Sequence, residues 1–184
     1  GANGYIELYN GTPNALIQTA HGNIVLTAPS SITMGSDTLI VSTTGGIELT
    51  AGGNIVVAGI TTAGDVLLSS GGAITDNNLG TTNITAINLI AFSATGIDLD
   101  TDVLVLNGSV SGIGNINIDE ANAIDLGTVS TNDGDITIAA GGNIGVFGNV
   151  SAGGADRDVY LTANGAGSDI TLTGTLTATD DITL

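Results

Sequence analysis

Residues 134–154 read GDITIAAGGNIGVFGNVSAGG, and this stretch decides the fold. It holds three short apolar groups, Ile136/Ile138, Ile144/Val146 and then Val150, parted by Gly-Gly-Asn and Phe-Gly-Asn. Apolar residues at i and i+2 place both side chains on one face of an extended strand and send the intervening residue to the other. Three such strands in about twenty residues describe one turn of a three-sided coil. The order returns in GIELTAGGNIVVAGITTAG, residues 46–64, with Ile47/Leu49, Ile55/Val57 and Ile60.

Working outward, an apolar-x-apolar pair introduced by Gly-Asn, Gly-Asp or another glycine pair recurs along the whole chain. Ile6/Leu8, Ile24/Leu26, Ile47/Leu49, Val66/Leu68, Ile87/Leu89, Ile116/Ile118, Ile136/Ile138, Val159/Leu161 and Ile182/Leu184 are read as one repeated first strand. Their second members are 18, 23, 19, 21, 29, 20, 23 and 23 residues apart. Ile97/Leu99, Ile124/Leu126 and Ile170/Leu172 take the second-strand place, and the 29-residue unit is expected to lengthen its third side through Val103–Leu106.

Similarity at this distance favours strands that pair with their counterparts one coil later, not with their neighbours in sequence as in a hairpin. Stacking at about 4.8 Å buries alternate Ile, Leu and Val and satisfies the backbone between coils. Glycine suits the sharp corners, and Asn54 and Asn143 are expected to cap them through local side-chain bonds. The expectation is an all-β chain: a parallel β-helix of about eight to nine coils with three short strands each, 1–184 forming a single segment. A sandwich of short strands is the alternative architecture.

Composition agrees. The apolar content is almost wholly Ile, Leu, Val and Ala, with no Trp, 2 Phe and 3 Tyr, and such small branched residues suit pleated strands. There are 29 Gly and 2 Pro without a collagen period, and helix patterns are nearly absent. A single Arg or Lys (Arg157) against 18 acidic residues leaves a net charge of −17, which repels nucleic acid and anionic membrane surfaces and excludes nucleic acid as a partner. The absence of Cys removes disulfide and thiol chemistry. No run approaches a membrane span, and GANGYIELYN at residues 1–10 lacks the basic and apolar regions of a secretory signal, which implies excision from a longer precursor or a removed signal.

The repeats GDITIAAGGNI, GIELTAGGNI and GNIVLTAPSSI resemble those of filamentous haemagglutinins and related large exoproteins exported by two-partner secretion. That resemblance covers nearly the whole chain and implies a right-handed parallel β-helix forming a rigid, secreted or cell-surface shaft used in adhesion, biofilm matrix or toxin delivery. Nothing in the chain matches the family's secretion domain or an adhesive or toxic tip.

Candidate sites are few. Asp98, Asp100 and Asp102 alternate like the opening of a calcium loop, but Val103 stands where that loop needs Gly and no Glu follows at the right distance. With Ile97 and Leu99 inward, these acids are expected on the solvated face, so no cofactor is expected beyond calcium as an alternative. Asp156, Asp158 and Asp180/Asp181 read as corner acids. A polysaccharide-active β-helix enzyme is the runner-up; it would need paired carboxylates with a cation, and Arg157 is the single strong cation available. His21 shows no partner in sequence, and no nucleophile-elbow, zinc-protease or phosphate-loop motif occurs. The alternating Thr171, Thr173, Thr175, Thr177 and Thr179 raise ice binding, which needs the ladder to repeat from coil to coil. Outward Val25, Leu67 and Tyr160, with Tyr9, Phe92 and Phe147, would form a lateral contact or receptor groove if clustered. The sequence opens close to one first strand and closes on another. Continuation into further repeats or head-to-tail stacking is therefore expected, with a host-cell or glycan receptor as a further partner. The reading is a non-enzymatic structural or adhesive shaft segment.

Overall fold

The computed structural model describes residues 4–9, 11, 15–78 and 80–184. The described chain is all β: parallel strands stacked as a solenoid of about eight turns, with no helix. The first three coils each carry three strands: β1 (Ile6–Leu8), β2 (Leu16–Thr19) and β3 (Ile24–Ala28); β4 (Ile32–Met34), β5 (Leu39–Ser42) and β6 (Ile47–Ala51); β7 (Ile55–Val57), β8 (Gly59–Thr62) and β9 (Asp65–Ser70). The next three run strands together around corners: β10 (Ile74–Asp76) and β11 (Ile84–Ser93); β12 (Ile97–Ile113); β13 (Ile116–Glu120) and β14 (Ile124–Asp133). Three-strand coils return with β15 (Ile136–Ala140), β16 (Ile144–Val146) and β17 (Asn149–Ala152), then β18 (Val159–Ala163), β19 (Ile170–Leu172) and β20 (Thr175–Thr177); β21 (Ile182–Thr183) starts another turn.

Three vertical ladders follow from the pairing. On the first side Ile6, Ile32, Ile55, Ile74, Ile97, Ile116, Ile136, Val159 and Ile182 stack in register. The second carries Ile17, Ile40, Ile60 and Ile84, then Thr101, Glu120, Ala140 and Ala163. The third carries Ile24, Ile47, Val66, Leu89, Leu106, Leu126, Val146 and Leu172. From Ile32 to Val159 every first-side rung is buried, so each stabilises the stack by about 1.5–3 kcal/mol through side-chain burial.

The ladders correct the reading of one repeated first strand. Ile24, Ile47 and Val66 belong to the third side, whereas Ile6, Ile116, Ile136, Val159 and Ile182 belong to the first. The motif Ile-x-Leu/Ile-x-Ala-Gly-Gly-Asn-Ile turns the corner from β6 to β7 in the early coils and from β15 to β16 in the late ones. Sides that share one strand pattern and one corner are interchangeable to sequence periodicity. The 29-residue interval is the place where the motif changes side: along the true first side the steps from Ile6 to Ile182 are 26, 23, 19, 23, 19, 20, 23 and 23 residues. Within that interval Ile87 faces out at 44% exposure, and Leu89 and Ala91 take the inward positions over Val66 and Leu68. Leu104 of the long third side is also exposed, while Val103 and Leu106 are buried.

The asparagine corners are bonded, though between coils and not locally. Asn54 Oδ1 accepts the amide of Ala73 at 3.0 Å, and Asn143 Oδ1 that of Asp169 at 2.9 Å. Along the first-side corner the device becomes a column, in which Asn115 accepts from Asp135, Asp135 from Asp158 and Asp158 from Asp181, at 2.9, 3.1 and 2.8 Å. No helix of the described residues is long and apolar enough to cross a membrane.

Candidate functional site

The calcium candidates stand on β12 at successive outward positions. Asp98 lies in register between Thr75 and Asn117; Asp100 pairs with Asp119 of the next coil, its own amide donating to Asn83 Oδ1 at 2.8 Å. Asp102 pairs with Thr85 and accepts from Asn122 Nδ2 at 3.0 Å. An extended strand sets alternate residues roughly 6.6 Å apart, which spreads the three carboxylates along the face. Burial, then Asp76, Asp119 and Asp98, push the Asp100 carboxyl above its ordinary range, opposed by an amide bond from Gly80.

Among the described residues the carboxylates that do converge are those of Asp158, Asp180 and Asp181, with one oxygen of each within 4.8 Å of the others. They stand at the last step of the first-side corner column. Asp158 accepts from the Asp181 amide with Oδ1 and from the Tyr160 hydroxyl with Oδ2 at 2.6 Å. The Tyr160 hydrogen bond holds the Asp158 carboxyl below its usual range, while the same carboxylate pushes the Tyr160 phenol up to about 12. Asp180, beside Asp181 and Asp158, is pushed up by like charge. In the sequence Asp158 and the pair Asp180/Asp181 read as corner acids; the meeting of Asp158 with that pair depends on stacking of adjacent coils, which no spacing along one coil reveals.

Arg157, the cation a glycan-cleaving site would need, is held by Asp133 in an ion pair of 2.8 Å. His21 is exposed, with Nδ1 at 3.4 Å from Thr44 Oγ1. The late threonines do not stack on one another: Thr171 pairs with Gly145 and Thr175 with Asn149. A different hydroxyl column does run from coil to coil on the third side, through Thr27, Thr50, Ser69, Ser109, Ser130, Ser151 and Thr177, broken at Phe92. Val25 and Phe92 are exposed on the same side, as Tyr9, Phe147 and Tyr160 are elsewhere.

Two surface hollows flank the corner loop before β11. The larger, about 410 Å³, is lined chiefly by Ser36, Asp37, Thr38, Leu39, Asn78 and Thr82; the smaller, about 190 Å³, by Thr82, Asp100, Thr101, Asp119 and Glu120. Asparagines pin this loop, Asn78 and Asn83 both donating to the Ala58 carbonyl and Asn77 to that of Met34. Glu120 is the residue the sequence reading missed. It is 4% exposed and occupies an inward ladder position, where alternation alone predicts an aliphatic side chain. The chain matches no family model, no curated protein and no solved structure.

Proposed function

We propose that this chain is a structural segment of a secreted or cell-surface shaft, without catalytic activity, whose outward faces make adhesive contacts with cells, glycans or copies of itself. The observation that carries the reading is the first-side ladder, nine aliphatic rungs from Ile6 to Ile182 held in register by parallel pairing. Such a stack is quasi-one-dimensional, each coil supported by its neighbours, and its stiffness comes from backbone bonds and not from any one residue. The excess of negative charge keeps such a surface soluble and repels anionic polymers. The repeat resemblance to filamentous haemagglutinin-like exoproteins agrees with this use, and calcium has no assigned role in it.

Electron cryo-microscopy of the native material tests the reading. Rods or fibres with an axial repeat near 4.8 Å are expected. Discrete particles that cleave a polysaccharide in solution would overturn it.

A further inference from the structure

Asparagine followed by glycine is the pair most prone to spontaneous deamidation, because glycine has no side chain to hinder ring closure and lets the backbone take the bent shape that closure needs. Four such pairs stand in the sequence, at Asn3, Asn10, Asn107 and Asn164, with one aspartate counterpart at Asp133. Asn3 and Asn10 lie outside the described residues. The fold treats the other three differently.

Asn107–Gly108 lies within β12, where Gly108 is buried and pairs with Ala91 on one side and Val129 on the other. The Asn107 side chain is tied down at a register shift, its Oδ1 accepting from the Thr128 amide at 3.0 Å. Ring closure there has to break that bond and bend a strand paired on both edges. At Asp133–Gly134 the carboxylate holds Arg157, and the Gly134 amide donates to the Gly153 carbonyl at 3.1 Å. Asn164–Gly165 is different. It follows the end of β18 and enters a turn closed by the Ser168 amide on the Gly165 carbonyl at 2.9 Å. The Asn164 backbone N–H is anchored on the Ala140 carbonyl at 2.7 Å, but the residue is exposed. Among the described residues neither its side chain nor the Gly165 amide has a hydrogen-bond partner.

We propose that Asn164 is a site of spontaneous covalent modification, converted with time to aspartate and isoaspartate, while the fold keeps Asn107 as the amide. The Gly165 amide nitrogen attacks Cγ of Asn164 and gives up its proton. The Cγ–Nδ2 bond breaks, ammonia leaves with that proton, and a succinimide ring closes. Water then adds to either ring carbonyl. Opening at one restores the normal backbone as aspartate, and opening at the other routes the backbone through the side chain as isoaspartate. Water is the single co-reactant, and no oxidation or reduction occurs. Either product places a new negative charge at the corner between β18 and β19, and isoaspartate also inserts a methylene between the Ala140 anchor and the turn. The modification does not depend on what the outer faces bind.

The test is incubation of the full chain at neutral to mildly alkaline pH, folded and in denaturant, followed by peptide mass spectrometry with fragmentation that separates isoaspartate from aspartate. In denaturant both pairs are expected to deamidate at comparable rates. In the folded chain Asn164 is expected to stay within roughly tenfold of its denatured rate, with isoaspartate among the products. Asn107 is expected to slow by roughly a hundredfold or more, because several bonds must open together and each is worth up to about tenfold. An Asn164 that remains the amide in the folded chain, or an Asn107 that changes as fast as Asn164, would overturn the proposal. N164Q, whose larger ring closes slowly, assigns the acidic species to this position. Gly165→Ala is unsuited to that purpose, since a Cβ there would lie 2.5 Å from the Gly141 carbonyl oxygen.

Discussion

Ile116 lies in register directly on Ile97, and both side chains are all but sealed from water, at 1% and 2% exposure. Each fills the space between the rung below and the rung above, so truncating one removes packing from two coils. Ile116→Ala is expected to cost about 2–5 kcal/mol, the usual range for a buried aliphatic residue cut to alanine. Ile182→Ala, on the same ladder but 45% exposed, is expected to change stability by roughly 0.5 kcal/mol or less. Denaturant unfolding of the two variants checks the contrast.

The ladder was half legible in the sequence. Ile136/Ile138 and Ile47/Leu49 announce strands because alternation marks which residues face inward, and glycine pairs mark the corners. What alternation does not carry is which side of the coil a strand occupies. Ile47 and Ile136 look alike yet stand on different sides, and Ile87 looks inward beside Leu89 although it is exposed at the corner between buried Ala86 and buried Leu89. Surface groupings fare worse. Asp158 and Asp181 are 23 residues apart and meet through stacking alone, and Glu120 sits inward because its side chain replaces missing backbone acceptors.

The Asp158–Tyr160 bond at 2.6 Å gives a spectroscopic prediction. The anionic acceptor raises the Tyr160 phenol to about 12. Asp158→Asn removes the charge and can preserve the amide bond from Asp181, so the phenol is expected to titrate closer to the ordinary tyrosine value of about 10. Absorbance titration of the phenolate, with Tyr160→Phe to identify the signal, reads the shift. An unchanged titration would mean that the bond does not form in solution.

Gly134 illustrates the tightness of the corners. A Cβ built there would lie 2.0 Å from the Gly114 carbonyl oxygen of the coil below, a backbone atom that cannot swing aside. Gly134→Ala must therefore spread two coils, and a loss of about 1–3 kcal/mol or more is expected from overpacking. Gly167, with φ at +79° and open space around it, poses only the left-handed backbone problem, and its replacement by Ala is expected to cost about 1–2 kcal/mol. The two losses differ in kind: hydrogen exchange should loosen in both coils around residue 134, but only in the loop around residue 167.

Asp100 and Asp119 face each other across adjacent coils with no cation near either among the described residues. Their repulsion contributes to holding the Asp100 carboxyl above its ordinary range, after burial and Asp76. The folded state thus binds a proton at Asp100 more tightly than the unfolded state, so this part of the stability is present in acid and is lost as the pH rises through the folded-state value. Asp119→Asn removes one charge without changing the shape. It is expected to stabilise the chain by roughly 0.2–1 kcal/mol at neutral pH and low salt, and by less where Asp100 is already protonated. Salt should shrink the gain, because both groups are near solvent. Thermal unfolding of both chains over a pH series at two ionic strengths measures it, and a gain that grew in acid would show that the pair is not repulsive.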